Sequence, residues 1–271
     1  MTAGDPAPPA ASRPLAGRVA LVTGVSRRIG IGMAVARRLA DLGADLFLTS
    51  WTAHDREQPW GADPGGMDAV LDELSAGRAT RVEHLEADFL DPEAPDRVLA
   101  AATETFGHVD VLICNHARSS AGGLEAVTAA ELDACFAVNT RAALLLVQGF
   151  AARHDGRPGG RVVLFTSGQQ LGPMQGELAY ATSKAALAGV TLSLADALAD
   201  QAITVNTVNP GPTDTGYADP PVHARVARLF PAGRWGTPDD AARLVAWLCT
   251  DDGAWITGQV INSEGGFRRF G

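Results

Sequence analysis

The chain has 271 residues, of which 46% are hydrophobic and 20% charged, with a formal net charge of −9. That is enough apolar material for a large buried core, and the acidic balance excludes non-specific binding to nucleic acid or to an anionic membrane, both of which need a basic surface. Three scattered cysteines, Cys114, Cys135 and Cys249, without CxxC spacing, exclude a disulfide scaffold and a zinc site, so no metal is expected and a reducing, cytoplasmic setting is.

Residues 1–14 are rich in Ala and Pro, lack the basic start and apolar run of a secretory signal, and read as a disordered tail. From Arg18 onward, short β-branched or apolar runs alternate with longer helical patterns. The strands read at 18–23, 45–50, 81–87, 109–115, 161–167, 203–208 and 259–262. Helical patterns lie near 31–42, 67–76, 93–106, 128–153, 177–200 and 238–250. This alternation predicts an α/β fold of the doubly wound, Rossmann type: one seven-stranded parallel sheet with helices on both faces, over a single domain 15–271. No stretch is expected to supply the roughly 20 apolar residues that cross a bilayer. Two connections, 51–66 and 211–235, are longer than the architecture needs, and both follow strands at the edge where ligands sit in parallel sheets.

The first strand, ALVTG, runs through VSRRIGIG into the helical pattern MAVARRLADLGA, which puts Gly24, Gly30 and Gly32 in a strand-to-helix turn. Such a turn offers free backbone N–H groups and the positive helix end to a pyrophosphate, while glycine lets the backbone come close. The position after an apolar strand and before an amphipathic helix points to dinucleotide binding.

Tyr180 and Lys184 lie four apart in the helical pattern AYATSKAALAGV and therefore share a face. A free phenol, titrating near 10, is too weak an acid at neutral pH unless a positive charge stabilises its phenolate. Lysine supplies that charge. The chain has 21 arginines, this single lysine and two tyrosines, so accidental placement of the lysine four residues after a tyrosine has a chance of about one in a hundred.

With these motifs in place the chain resembles the short-chain dehydrogenase/reductase family across residues 15–267, and its nearest likeness there is to 3-oxoacyl-carrier-protein reductases. The family turn TGxxxGxG aligns here with two extra residues within 25–29, so Ser26, Arg27, Arg28 and Ile31 join the three glycines as expected cofactor contacts. At the end of the second strand stands neutral Ser50, where an acidic residue would select NAD. With Arg27, Arg28 and Arg56 available for a 2′-phosphate, NADPH is expected over NADH.

The resemblance implies further roles. Asp88 and Phe89 would contact adenine, Asn115 (in ICNHA) matches the second Asn of the family's NNAG segment as a further cofactor contact, and the segment with Pro210, Gly211, Thr213 and Thr215 would hold the nicotinamide. His116 departs from the family pattern and is read as a packing or hydrogen-bonding residue. Ser167 would orient the substrate oxygen, and Asn139 would hold a water in a proton relay behind Lys184. Glu264 stands where the family usually has Asp.

The implied reaction is reduction of a ketone to a secondary alcohol, or its reverse, with Tyr180 as proton donor. Substrate contacts are expected from Gln169 to Met174, with Tyr217, Phe230 and Trp235, and residues 211–235 are expected to form a lid. The lining, neutral and partly apolar, predicts a small-molecule carbonyl substrate that is hydrophobic or neutral. A carrier-bound 3-oxoacyl group is an alternative, with Arg225 and Arg228 available for docking; reduction of C=N or activated C=C bonds and a non-catalytic cofactor sensor are others. Symmetric self-association, as dimers or tetramers, is implied by the resemblance alone.

Overall fold

The computed structural model describes residues 13–270; the expected tail falls almost wholly on residues outside that range. Among the described residues the strands β1 (Val19–Val22), β2 (Asp45–Ser50), β3 (Val82–Glu86), β4 (Val111–Cys114), β5 (Gly160–Phe165), β6 (Ile203–Asn209) and β7 (Val260–Asn262) form one sheet in the order β3-β2-β1-β4-β5-β6-β7. Every pairing is parallel. Apolar runs such as VALV and VLIC, buried along their whole length, belong in such a sheet because both faces are covered.

The helices are α1 (Ile31–Asp41), α2 (Thr52–Glu57), α3 (Gly66–Ser75), α4 (Ala94–Phe106), α5 (Ala129–Cys135), α6 (Ala142–Arg153), α7 (Leu178–Leu198), α8 (Pro220–Ala227) and α9 (Pro238–Cys249). α1, α3 and α9 cover one face, where Met33, Leu39, Leu74 and Val245 pack on Ala20, Val22 and Ile113. α4, α6 and α7 cover the other, with Val98, Leu146, Phe150 and Leu187 on Leu21, Leu112 and Leu164. Each such side chain, fully withdrawn from water, contributes about 1.5–3 kcal/mol.

The chain leaves β1 toward β2 and β3 on one side and β4 toward β7 on the other. The crevice beyond the carboxyl ends of β1 and β4 is therefore where the sheet reverses direction, the place a ligand binds in open α/β sheets.

Three expectations need correction. The pattern at 128–153 is helical throughout but not regularly α-helical: Phe136–Arg141 forms a π-helical turn between α5 and α6, a local widening common at functional sites. The two long connections are not bare loops, for each carries a short helix, α2 and α8. Their short helical stretches were hidden because neither buries a side chain and so neither shows an apolar stripe. Finally, the segments Ala129–Arg153 and Leu178–Gln201 are long and apolar enough to cross a membrane by composition. Here they lie against the sheet, which accounts for their inward apolar residues.

Candidate functional site

A cleft of ≈1260 Å³ opens along the carboxyl ends of the strands, reaching from the glycine turn to the start of α7. Gly24 holds φ +71°, and a Cβ there would stand 2.8 Å from the His116 Cα. Gly32 is as constrained, since its Cβ would meet Asn115 Nδ2 and the Gly24 carbonyl at 2.6 Å. These two glycines let α1 approach β1 and β4 closely. The extra residues form a tight turn closed by Gly30 N–H donating to the Arg27 carbonyl at 2.9 Å. Side-chain caps close the starts of α5 by Thr128, α8 by Asp219 and α9 by the Thr237–Asp240 capping box. α1 has Gly30 at its cap position and no side-chain cap, so its first N–H groups stay available to an anion.

Gly24, Ser26, Arg27, Gly30 and Ile31 line the cleft, as do Ser50, Asp88, Phe89 and Asn115 and, at the far wall, Pro210, Gly211, Thr213 and Thr215. Arg27 has no acidic partner among the described residues. Arg28 is placed differently from expectation. Its Nη2 lies 3.0 Å from Asp63 Oδ1, its backbone N–H donates to Asp63 Oδ2 at 2.9 Å, and it does not line the cleft. Burial works against the Asp63 charge, yet Arg28 and the N–H groups of Arg28 and Gly65 hold its carboxyl below the usual range. The arginine within the enlarged turn thus pins the 51–66 connection, whose Trp51, His54 and Trp60 wall the cleft. Arg56, on α2, also lies outside the lining. Gly32 serves packing and does not line the cleft.

Ser50 ends β2 with its hydroxyl 2.8 Å from His84 Nε2, so this position carries no carboxylate. The Asp88 carboxylate accepts from the Leu90 N–H at 2.9 Å and is held in its own turn. Asn115 Nδ2 donates to the Thr23 and Gly24 carbonyls at 3.0 Å each, spending its amide hydrogens on holding the glycine turn. His116 is buried against Phe89, with ring centroids 4.3 Å apart. Its Nε2 sits 3.0 Å from the Val138 carbonyl and its Nδ1 2.6 Å from the Thr23 hydroxyl. A carbonyl can only accept, so Nε2 carries the proton and Nδ1 accepts. Burial pushes this imidazole down to about 3; it is a neutral structural residue.

At the other end of the cleft Ser167, Tyr180 and Lys184 come together from the end of β5 and the first turns of α7. The Lys184 ammonium stands 5.8 Å from the Tyr180 ring centroid and donates to the Phe165 carbonyl at 3.0 Å. Burial pushes it down to about 8. The phenol moves in the direction opposite to expectation: burial pushes it up to about 12, with the Ser167 hydroxyl pulling it back. Close quarters with a lysine do not lower a phenol whose desolvation dominates.

Asn139 lies outside the lining. Its Oδ1 accepts from the Arg118 N–H at 2.7 Å, and its Nδ2 donates to the Arg118 carbonyl at 3.0 Å and the Ser183 hydroxyl at 2.8 Å. No amide hydrogen remains for a relay water, so the side chain braces the π turn against α7.

Met174 and Tyr217, expected as substrate contacts, line the cleft; Gln169 does not, its amide donating to the Thr166 hydroxyl at 2.9 Å. Phe230 and Trp235 stand behind the wall, Phe230 on Phe267 and Trp235 against Tyr217 and His223. Sequence reasoning missed the contributions of Arg118, Trp51, Trp60, Phe267, Arg269 and Phe270. The SEGG segment before the carboxyl-terminal aromatics was the available signal of a chain reversal.

A family model described as enoyl-(acyl carrier protein) reductase matches residues 24–268. The uncharacterized oxidoreductase YjdA of Bacillus subtilis is 39% identical over 254 residues, covering 93% of this chain and 97% of that protein. A short-chain dehydrogenase from Burkholderia cenocepacia, solved in complex with NADP, shares 36% identity at a TM-score of 0.83, over 93% of this chain and 98% of its own. The chain belongs to the short-chain dehydrogenase/reductase family. Another solved relative, the angucycline C-6 ketoreductase LanV with bound NADP, is 31% identical at a TM-score of 0.82, over 94% of this chain and 97% of its own. As a member of this family the protein is a nicotinamide-dependent oxidoreductase. The residues present fit such a cofactor: the glycine cradle that a Cβ would fill and the uncapped start of α1 suit a pyrophosphate, and the cleft runs unbroken from there to Tyr180.

Proposed function

We propose that this short-chain oxidoreductase uses NADPH to reduce a ketone to a secondary alcohol, or catalyses the reverse. One observation carries the reading: the Ser167 hydroxyl, the Tyr180 phenol and the Lys184 ammonium line the same cleft as the glycine turn. Cofactor preference is supported by neutral Ser50 at the end of β2 and by cleft-lining Arg27 without an acidic partner among the described residues. The solved relatives with NADP agree with it, and the ketoreductase among them agrees with the reaction.

When bound, the reduced nicotinamide supplies the hydride; the chain supplies position and a proton. Ser167 donates its hydroxyl hydrogen to the carbonyl oxygen and holds it beside the phenol. Tyr180, fully protonated at neutral pH with its phenol near 12, gives its proton to the oxygen as charge develops there. Lys184, with its ammonium 5.8 Å from the ring, opposes the negative charge left on the phenolate. Asn139, through the π turn, acts as a positioning residue for Ser183, next to the lysine in α7. Self-association belongs to the same proposal. A shallow apolar groove on the outer side of α6 and α7, lined by Leu144, Leu145 and Leu194, supports it.

Tyr180→Phe tests the assignment. It is expected to lower ketone-dependent NADPH oxidation by at least about 100-fold while NADPH affinity, read by fluorescence titration, stays within about twofold. A fully active Phe variant removes Tyr180 from the mechanism. Activity confined to imines or enones in the same absorbance assay removes the ketone.

A further inference from the structure

After β7 the chain turns back at Gly265 and Gly266, with φ of +57° and +76°. The returning segment is fixed by the Arg268 N–H donating to the Leu229 carbonyl at 3.0 Å and by Phe267 stacking near Phe230, with ring centroids 5.0 Å apart. Phe267, Arg269 and Phe270 are thereby delivered to the substrate end of the cleft, beside Ser167 and Gly168.

Arg269 is built into that wall. Its side chain is only 15% exposed and forms a two-pronged ion pair with Glu264, which is 8% exposed, Nη1 donating to Oε2 and Nη2 to Oε1. Glu264 is itself held by Asn209 Nδ2 at 2.8 Å. The guanidinium lies 5.1 Å from the Phe267 ring centroid. Its seat requires glycine at two places just after Ser167: a Cβ on Gly168 would stand 1.9 Å from Arg269 Nη2, and one on Gly172 would stand 2.7 Å from its Cδ. The glutamate replacing the family's aspartate has a use here, since its extra methylene lengthens the reach from β7 to the guanidinium.

A guanidinium has five N–H donors and the ion pair takes two; no other acceptor is recorded for this one among the described residues. A cation in a cleft ordinarily selects anions. This one is neutralised by Glu264, and Glu177 adds another carboxyl to the same lining. A substrate anion therefore gains little, whereas a neutral oxygen can accept from the unused N–H groups.

We propose that Arg269 anchors the substrate through a second, neutral oxygen while Ser167 and Tyr180 hold the reacting carbonyl. The pocket would then select diketones, hydroxyketones and keto esters over plain ketones. This rests on the carbonyl-reductase reading above.

Arg269→Lys tests it, keeping a cation beside Glu264 but losing the planar fork. Turnover is measured on pentane-2,3-dione and pentan-2-one, chains of equal length. The variant is expected to lose about tenfold or more in kcat/KM on the dione, mainly in KM, and about twofold or less on the monoketone, as for loss of a charge-assisted hydrogen bond. NADPH affinity by fluorescence should be little changed. Equal losses on both ketones overturn the proposal. Should Arg269→Lys not fold, the double variant Arg269→Met with Glu264→Gln removes both charges together and carries the same comparison. A wild-type protein that binds NADPH but reduces no ketone in a broad panel overturns the underlying reading instead, whatever the Arg269 variant does.

Discussion

Replacing Lys184 with methionine should remove activity yet change stability in a way that only a buried ammonium can produce. The side chain is 2% exposed by residue, and burial lowers its pKa from 10.5 to about 8. At ~1.4 kcal/mol per pKa unit, carrying the charge inside the fold costs about 3 kcal/mol. The sign follows from proton counts. Below pH 8 both the folded and unfolded chains hold the proton and the penalty is complete. Between pH 8 and 10.5 the folded chain releases it while the unfolded chain keeps it, so wild-type stability rises with pH. Methionine keeps the apolar stem and has no proton to lose, although it forfeits the bond to the Phe165 carbonyl.

Relative to Lys184→Met, the wild-type protein is therefore expected to gain about 2 kcal/mol between pH 8 and pH 10. Near pH 7 the variant should equal or exceed the wild type. Urea unfolding followed by tryptophan fluorescence at several pH values measures both curves, other titrations cancelling in the difference. Parallel curves from pH 8 to 10 would mean the ammonium is not desolvated, and the account of the site's electrostatics would fail with them.

Arg27→Ala should weaken NADPH binding by about tenfold or more and leave NADH binding unchanged, because only the 2′-phosphate distinguishes the two; fluorescence titration with each nucleotide decides it. Asp63→Asn should release the wall that Arg28 holds over the cleft. Trypsin is expected to cut at Arg56 several-fold faster, with NADPH leaving more quickly in stopped-flow chase experiments; unchanged cutting would show that the ion pair does not hold this segment.

Much of the fold could be read from pattern. Strands buried on both faces carry unbroken apolar runs, and helices packed on one side carry apolar residues at helical spacing, so β2 was read to its exact ends at Asp45 and Ser50. α2 and α8 bury nothing and left no such imprint. The π turn escaped for a different reason: it depends on Asn139 bonding across to Arg118 and Ser183, residues distant in sequence.

The glycine turn and the Tyr180–Lys184 pair were legible because each is a local spacing that one strand-to-helix turn or one helix face converts directly into geometry. Local sequence therefore determined the fold class, the crevice and the Tyr180–Lys184 pair that lines it. Tertiary structure decided what those residues experience. Arg28 follows Arg27 directly, yet one lines the cleft and the other is held by Asp63. A phenol beside a lysine is raised because burial dominates, and Arg269 reaches the cleft wall because two glycines turn the chain back. Such outcomes depend on desolvation and on partners brought in from far along the chain, which no local spacing records.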